Sequence, residues 1–292
     1  MKKLSGLIRS NKILVIPGAY DVFSAKIIEK SGFPAVYLTG YGTSASLLGL
    51  PDLGFLTLNE LCGVAGNICS VIKIPLISDA ESGFGNVLNV ARTVREFEKA
   101  GVQAIHLEDQ IVPKKHKPDG FPQVVGLQEH ADKIRIAVRS RKSKDFLIIG
   151  RTDSLERHGV EEAVKRANAY QKAGADIIFV HGIKRKEDVR AIARHVKAIK
   201  LINYSAFTVS DQEYLPPLSE LEELGYKIII LAIEPLLVSA GAMAHFLKQV
   251  RNETGIENLK QFFISQKKLE EYLEIRNFRY HENNFLPESG AL

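Results

Sequence analysis

Eight short apolar runs, each followed by a helix-compatible stretch, set the limits on what this chain can fold into. They begin near Ile13 (ILVIPG), Ala35 (AVYLTG), Pro75 (PLISDAE), Ala104 (AIHLED), Leu147 (LIIGRTD), Asp176 (DIIFVHG), Leu201 (LINYSA) and Ile228 (IIILAIE). None alternates cleanly between apolar and polar residues, which is the pattern of strands buried on both faces of a parallel sheet. A weak repeat punctuates them: Glu29-Lys-Ser-Gly32, Glu98-Lys-Ala-Gly101, Gln171-Lys-Ala-Gly174 and Glu222-Glu-Leu-Gly225. Each puts a glycine between a helix and the next strand, where a tight connection wants a left-handed C-cap. An open doubly wound sheet would use the same units. Eight strands with charged residues at many of their ends favour closure into a (β/α)8 TIM-type barrel.

The 292 residues exceed an average domain but fit one such barrel. Residues 1–255 are read as the barrel and 256–292 as a C-terminal helical extension, with one or two helices around Gln266 to Arg276 and an irregular end. The apolar stretch Ile228 to Leu247 is cut by Glu234-Pro235 and reads as strand then helix, not as a membrane span. Net charge is +5, with Lys and Arg spread along helices and not clustered with aromatics, which argues against a nucleic-acid partner. Cys62 and Cys69 lie on one face of a helix expected over Thr57 to Ile72, about 10 Å apart, too far for a disulfide. Free thiols fit a cytoplasmic protein, and the N-terminus has no apolar core of a signal peptide.

Four runs end in charge: Asp79 and Glu81, Glu108 and Asp109, Arg151 and Asp153, and His181. A barrel gathers the C-terminal ends of its strands at one site. Asp79, Glu81 and Glu108, without a Cys or His cluster, suit a hard cation, Mg2+ or Mn2+, held partly through water. The competing reading is rim carboxylates paired with Lys and Arg. The segment Thr39-Gly40-Tyr41-Gly42 reads as a Gly-rich loop whose backbone can approach a ligand oxygen. Arg151 offers a bidentate carboxylate clamp, or equally a salt bridge to Asp153. Ile111 to Gln123, with three prolines and a glycine, reads as a long loop of the kind that forms lids. His106, His130, His195 and His245 read as core or surface histidines.

Six motifs in order carry a resemblance that runs from about Ile16 to Met243. They are Pro17-Gly-Ala-Tyr-Asp21, Gly49-Leu-Pro-Asp52-Leu-Gly54, Asp79-Ala-Glu81-Ser-Gly-Phe-Gly85, Leu107-Glu108-Asp109-Gln110, Gly150-Arg151-Thr152-Asp153 and Ala173-Gly174-Ala175-Asp176. The chain resembles the isocitrate lyase and phosphoenolpyruvate mutase superfamily, most closely its 2-methylisocitrate-lyase-like (carboxyphosphonoenolpyruvate phosphonomutase-like) branch. That resemblance implies a Mg2+-dependent enzyme acting on a small carboxylic acid through an enolate. It also implies a homotetramer, a dimer of dimers whose C-terminal helices swap between subunits. By the same resemblance Asp79, Glu81 and Glu108 hold the metal, Thr39, Gly40 and Tyr41 cradle the enolate, and Asp52 lies beside it. Arg151, His181, Asn203 and Ser205 contact substrate, and Lys114, Lys115 and His116 close over it.

The sequence departs from the lyases at four points. The loop Pro113-Lys114-Lys115-His116-Lys117-Pro118 lacks their cysteine, and His116 is a possible replacement acid. Glu81 stands for an aspartate and His181 for a glutamate, and the arginine after the eighth strand is not evident. A smaller di-acid therefore fits better than a tricarboxylate. The expected activity is Mg2+-dependent cleavage of a carbon–carbon bond in a 2-hydroxy or 2-oxo carboxylic acid through an enolate, 2-methylisocitrate-lyase-like or oxaloacetate-decarboxylase-like, with phosphonomutase or phosphonopyruvate hydrolase chemistry, or a silent metabolite-binding barrel, as alternatives.

Overall fold

In a computed structural model of the protein, eight parallel strands close into a barrel in chain order, β1 to β8, with β1 pairing β8. The structure describes residues 3–10, 12–114, 120–205, 214, 216–252, 259–261 and 263–285. The strands are β1 (Leu14–Ala19), β2 (Val36–Leu38), β3 (Leu76–Asp79), β4 (Ala104–Glu108), β5 (Leu147–Thr152), β6 (Ile177–Val180), β7 (Ile199–Asn203) and β8 (Tyr226–Leu231). The expected (β/α)8 fold is therefore the one observed, and Ile228 to Leu247 is strand then helix. Among the described residues no helix is long and apolar enough to cross a membrane.

The helices are α1 (Leu4–Ile8), α2 (Val22–Lys30), α3 (Gly40–Thr43), α4 (Leu58–Val71), α5 (Val87–Lys99), α6 (Leu127–Ser140) and α7 (Leu155–Lys172). They continue with α8 (Lys186–His195), α9 (Leu218–Glu223), α10 (Glu234–Arg251), α11 (Gln266–Tyr272) and α12 (Ile275–Phe285). Three barrel helices start on reciprocal capping boxes, Asp21 with Ser24, Thr57 with Glu60 and Asn86 with Asn89. Each satisfies backbone donors that have no partner inside the helix. All four repeat glycines have positive φ, at Gly32, Gly101, Gly174 and Gly225, the left-handed conformation their position asked for. Cys62 and Cys69 are free thiols on α4, and burial pushes Cys69 up to about 11, so neither is a reactive thiolate.

Two apolar clusters divide the work. One fills the barrel, with Ile16, Tyr37, Ile77, Ile149, Phe179 and Ile230 pointing inward. Leu4 and Ile8 of α1 belong to it, so the first helix plugs the end where the strands start. The second lies between strands and surrounding helices, built on residues such as Leu61, Ile68, Phe97, Ile134 and Tyr170. Burial of this kind contributes roughly 25 cal/mol per Å2 of apolar surface and is what holds the helices to the sheet.

The chain divides into two compact units, Met1–Leu236 and Leu237–Leu292. The second carries α11 and α12, and helix continues to Phe285, past the irregular end expected after Arg276. Ile275, Phe278 and Phe285 keep a helical spacing there, a signal masked by the polar residues between them.

Buried on α6, His130 has Nε2 3.2 Å from the Leu107 carbonyl and its ring edge-on to Tyr170. Burial, then Lys133, lowers its pKa to about 3. The folded protein thus keeps His130 neutral while the unfolded chain protonates it near 6.5. Its contribution is whole above 6.5 and is lost as pH falls from there toward 3. Urea unfolding of wild type and His130→Gln at pH 7, 6 and 5 should show a flatter acid limb in the variant, by at most about 1.4 kcal/mol per pH unit. Parallel limbs would refute a neutral His130.

Candidate active site

Side chains two apart on a strand point the same way, so each inward series can be followed from the plugged end to the open one. Ile77 leads to Asp79, Ala104 to His106 and Glu108, Ile149 to Arg151, Ile177 to Phe179 and His181, and Leu201 to Asn203. In each, apolar residues fill the floor and the last step is polar. Strand register sets these ends side by side, with Asp79 opposite His106 and Glu108 opposite Arg151. A cavity of about 320 Å3 opens there, at the small end of ligand pockets, usually about 300–1,000 Å3.

Most of the anticipated residues meet at this cavity. Thr39, Tyr41, Asp52, Asp79, Lys114, Arg151, His181 and Asn203 line it. Glu81 and Glu108 lie buried against Lys114, whose Nζ is 2.9 Å from Glu81, 3.3 Å from Glu108 and 2.8 Å from Asp52. Lys115 and His116 lie outside the described residues. Ser205 does not line the cavity. Its hydroxyl donates to Glu234 at 2.7 Å and accepts from the Ala232 amide at 2.9 Å, tying the ends of β7 and β8.

Two local conformations differ from the sequence expectation. Thr39 to Ser44 is not an open loop. Thr39 caps the helical turn α3, and a π-helical turn, Ser44–Leu48, follows directly. The glycine serves close approach instead: a Cβ on Gly40 would lie 2.5 Å from Asp79 Oδ2 and 2.9 Å from Glu81 Oε1. Glu81, for its part, does not continue β3, which ends at Asp79. It has a φ of +50°, an uncommon left-handed backbone, held by its amide donating to Asp79 Oδ1 at 2.7 Å and by its carbonyl accepting from the Glu108 amide at 2.9 Å. Its carboxylate reaches the same centre by a turn, not by strand alternation.

The electrostatics are lopsided. Asp52, Asp79, Glu81, Glu108 and Asp153 face two cations, Lys114 and Arg151. Arg151 grips Asp153 with two hydrogen bonds, Nε at 2.9 Å and Nη2 at 2.7 Å, while Nη1 stands 3.1 Å from Glu108. The salt bridge to Asp153 is thus real: of the five N–H groups of the arginine two are on Asp153 and one on Nη1 faces Glu108 as an ion pair without a hydrogen bond, which leaves two for a ligand. Burial pushes Glu108 up to about 7, against the pull of Lys114 and Arg151. Burial and the neighbouring Asp79 push Glu81 well above the carboxylate range. Burial alone would lower Lys114, but Glu108, Glu81 and Asp52 overcome it and hold the ammonium charged. Neither oxygen of Glu81 or of Glu108 accepts a hydrogen bond.

Among the described residues no three His, Cys, Asp or Glu side chains stand ready around one point as a metal cage, because the Lys114 ammonium sits between the carboxylates. The donor set nevertheless fits a hard divalent cation. The oxygens of Glu81 and Glu108 lack hydrogen bonds among the described residues, the ligand types are carboxylates, and five carboxyl groups crowd around Lys114 and Arg151.

Several contributors escaped the sequence reading. Tyr37, Gln110, Phe179, Ile230 and Ala232 also line the cavity. His106 is a core side chain as expected, but it abuts the site, with Nε2 2.8 Å from Tyr37 Oη and Nδ1 3.7 Å from Asp79. The step of two along each strand was the signal that finds them: Tyr37 precedes Thr39, His106 precedes Glu108, and Phe179 precedes His181.

A family profile described as phosphoenolpyruvate phosphomutase matches residues 4–251. The chain belongs to that family. It is 38% identical over 283 residues to the 2,3-dimethylmalate lyase of Eubacterium barkeri, covering 97% of each chain. It is 40% identical over 247 residues to the 2-methylisocitrate lyase of Aeropyrum pernix, covering 85% of this chain and 78% of that one. Among solved structures, a phosphonopyruvate hydrolase in complex with oxalate and Mg++ superposes with a TM-score of 0.86 at 27% identity, covering 97% of this chain and 98% of that one. A solved 2,3-dimethylmalate lyase superposes with a TM-score of 0.85 at 30% identity, covering 99% of this chain and 96% of that one.

Proposed function

We propose that this protein is a divalent-metal-dependent lyase that cleaves a carbon–carbon bond of a short 2-hydroxy or 2-oxo dicarboxylic acid. The observation that carries this reading is the cluster of five carboxylates facing two cations at the mouth of a small cavity. Asp79, Glu81 and Glu108 are the residues that would hold Mg2+, or Mn2+ in its place. When bound, such an ion supplies positive charge that stabilises an enolate oxygen.

The remaining roles belong to the chain. Arg151, with two N–H groups left over, binds one substrate carboxylate. Thr39, Gly40 and Tyr41 line the side where enolate charge develops, and Asn203 and His181 complete the polar wall. His181 is neutral, since burial and then Arg151 lower its pKa to about 4, and its Nδ1 lies 3.3 Å from Asp153. On a 2-hydroxy acid the hydroxyl proton would pass to water in the cavity, the carbon–carbon bond breaks as the hydroxyl carbon becomes the 2-oxo carbon, and the electron pair of that bond leaves with the departing fragment as an enolate, which takes up a proton, so that no net proton is consumed. Lys114, Lys115 and His116 are the proposed source of that proton, with Asp52 orienting Lys114 at 2.8 Å.

The wall of Phe179, Ile230, Ala232 and Ile233 supports alkyl substituents on the substrate, and among the described residues Lys114 and Arg151 are the cations lining the cavity, which supports a di-acid. A dimethylmalate-like di-acid suits both, in keeping with the relative of that name. The homotetramer with exchanged C-terminal helices is proposed on the exposed apolar side chains of α10, among them Val238, Met243 and Leu247. A cytoplasmic location is proposed on the two free thiols.

Incubation with Mg2+ and oxaloacetate, 2-methylisocitrate, 2,3-dimethylmalate or phosphonopyruvate, followed by 2-oxo acid release, tests the reading. Release from a branched di-acid that EDTA stops is the expected result. Turnover of phosphonopyruvate alone would move the protein to phosphorus–carbon chemistry. Metal-dependent oxalate binding with no turnover would make it a silent binder.

A further inference from the structure

Behind the cavity, and not touching it, lies Asp109. Its carboxylate is fully buried and accepts four hydrogen bonds. Oδ1 takes the Asp153 amide at 2.9 Å. Oδ2 takes Thr152 Oγ1 at 2.7 Å, Tyr170 Oη at 2.7 Å and Arg166 Nη1 at 3.0 Å. Two of these donors, Thr152 Oγ1 and the Asp153 amide, belong to the end of β5 that carries the Arg151 to Asp153 clamp.

The same residue closes the neck of the loop that follows β4. The Asp109 carbonyl accepts from the Val125 amide at 2.8 Å, and Arg166 Nη1, already on the carboxylate, donates to the Val125 carbonyl at 2.9 Å. Beside it Gln110 pairs with Val124, the Ile111 amide donates to the Gln123 carbonyl at 2.9 Å, and Gln110 Nε2 reaches Asp153 at 3.2 Å. Glu162 fixes Arg166 from α7 at 2.9 Å. Asp109 therefore joins a helix and a strand end through its carboxylate, and the segment at Val125 through its carbonyl and through Arg166.

We propose that Asp109 is a positioning residue of the reaction, setting the Arg151 to Asp153 clamp and the paired segments 110–111 and 123–125 in one register. A buried ion pair is weak evidence for stability, because desolvation offsets its attraction. What the network supplies is geometry: the clamp that would orient a substrate carboxylate and the 110–111 and 123–125 pair beside it cannot shift independently while both are hydrogen-bonded to Asp109. This rests on the lyase reading only in what the register is for.

The test is Asp109→Asn, which keeps the shape and removes the charge that accepts four donors. The expected result is faster amide hydrogen exchange at 152–154 and at 124–125, with β1 and β2 exchanging as in wild type. Turnover should fall about 10- to 100-fold, the usual cost of removing a residue that supports the reacting groups. Mn2+ affinity should not change. Tyr170→Phe and Thr152→Val, each removing one donor and leaving the carboxylate, should give the same local pattern at smaller size, and decide the matter if Asp109→Asn does not fold. Unchanged exchange at both segments, or wild-type turnover in a folded Asp109→Asn, would overturn the proposal. If wild type turns over none of the substrates, the lyase reading fails instead, and the positioning role is then judged on exchange and on the affinity for oxalate with Mg2+.

Discussion

Replacing Glu108 by glutamine should lower turnover by about 10^3-fold, or about 4 kcal/mol of transition-state stabilisation, while leaving the protein folded. Glu108 ends β4, is fully buried, and stands between Arg151 at 3.1 Å and Lys114 at 3.3 Å. Glutamine keeps the shape and loses the charge that would hold a divalent ion, so Mn2+ binding followed by calorimetry should weaken in parallel. Stability should not suffer. Burial already pushes the carboxyl up to about 7, which means the fold disfavours its charged form when no metal balances it. A Glu108→Gln protein with wild-type turnover would remove Glu108 from the metal set.

Arg151→Met carries the largest expected loss of stability, about 3–5 kcal/mol, because it strips the partner from buried charges. Among the described residues Asp153 would keep Gln110 at 3.2 Å and His181 at 3.3 Å, and Glu108 would keep Lys114. In the intact protein burial raises the pKa of Asp153, yet Arg151 and then His181 bring it down to about 2, which shows which interaction dominates. Urea unfolding at pH 7 measures the loss. Arg151→Lys should recover part of it, since an ammonium restores charge but not the two-pronged grip. A methionine variant within about 1 kcal/mol of wild type, the size of an ordinary substitution, would mean that the clamp is not what holds Asp153. Turnover of either variant should be poor, with the lysine variant losing affinity for the di-acid more than maximal rate.

How much of this could be read from the chain alone follows from the kind of signal each feature leaves. Eight apolar runs and four repeated glycines specified repeated parallel βα units, because burial on both faces forces continuous apolar sequence and a tight connection forces a left-handed residue, and the charged strand ends favoured closure into a barrel. The same logic located Asp79, Glu108, Arg151 and His181, since strand ends in a barrel converge wherever their sequence positions lie. Tyr37, Phe179 and Ile230 were legible too, as the inward residues one step below the polar ones, although nothing in their chemistry advertised a site.

Other features depend on contacts between segments distant in sequence. Ser205 looked like a substrate ligand but satisfies Glu234 and the Ala232 amide, partners 29 and 27 residues away. The Thr39 to Ser44 segment looked like a glycine loop, yet its glycines answer to the Asp79 and Glu81 carboxylates and to Tyr20 packed against them. Asp109 read as one more charge at the end of an apolar run, and it holds the end of β5, α7 and the segment at Val125 together. Local sequence determined the strands, their inward faces and the charges at their ends, because periodicity and backbone preference act over a few residues. Which charges pair, which hydroxyls are already engaged and which carboxylates are left without a hydrogen bond was decided only by tertiary structure, because those depend on distances across the barrel.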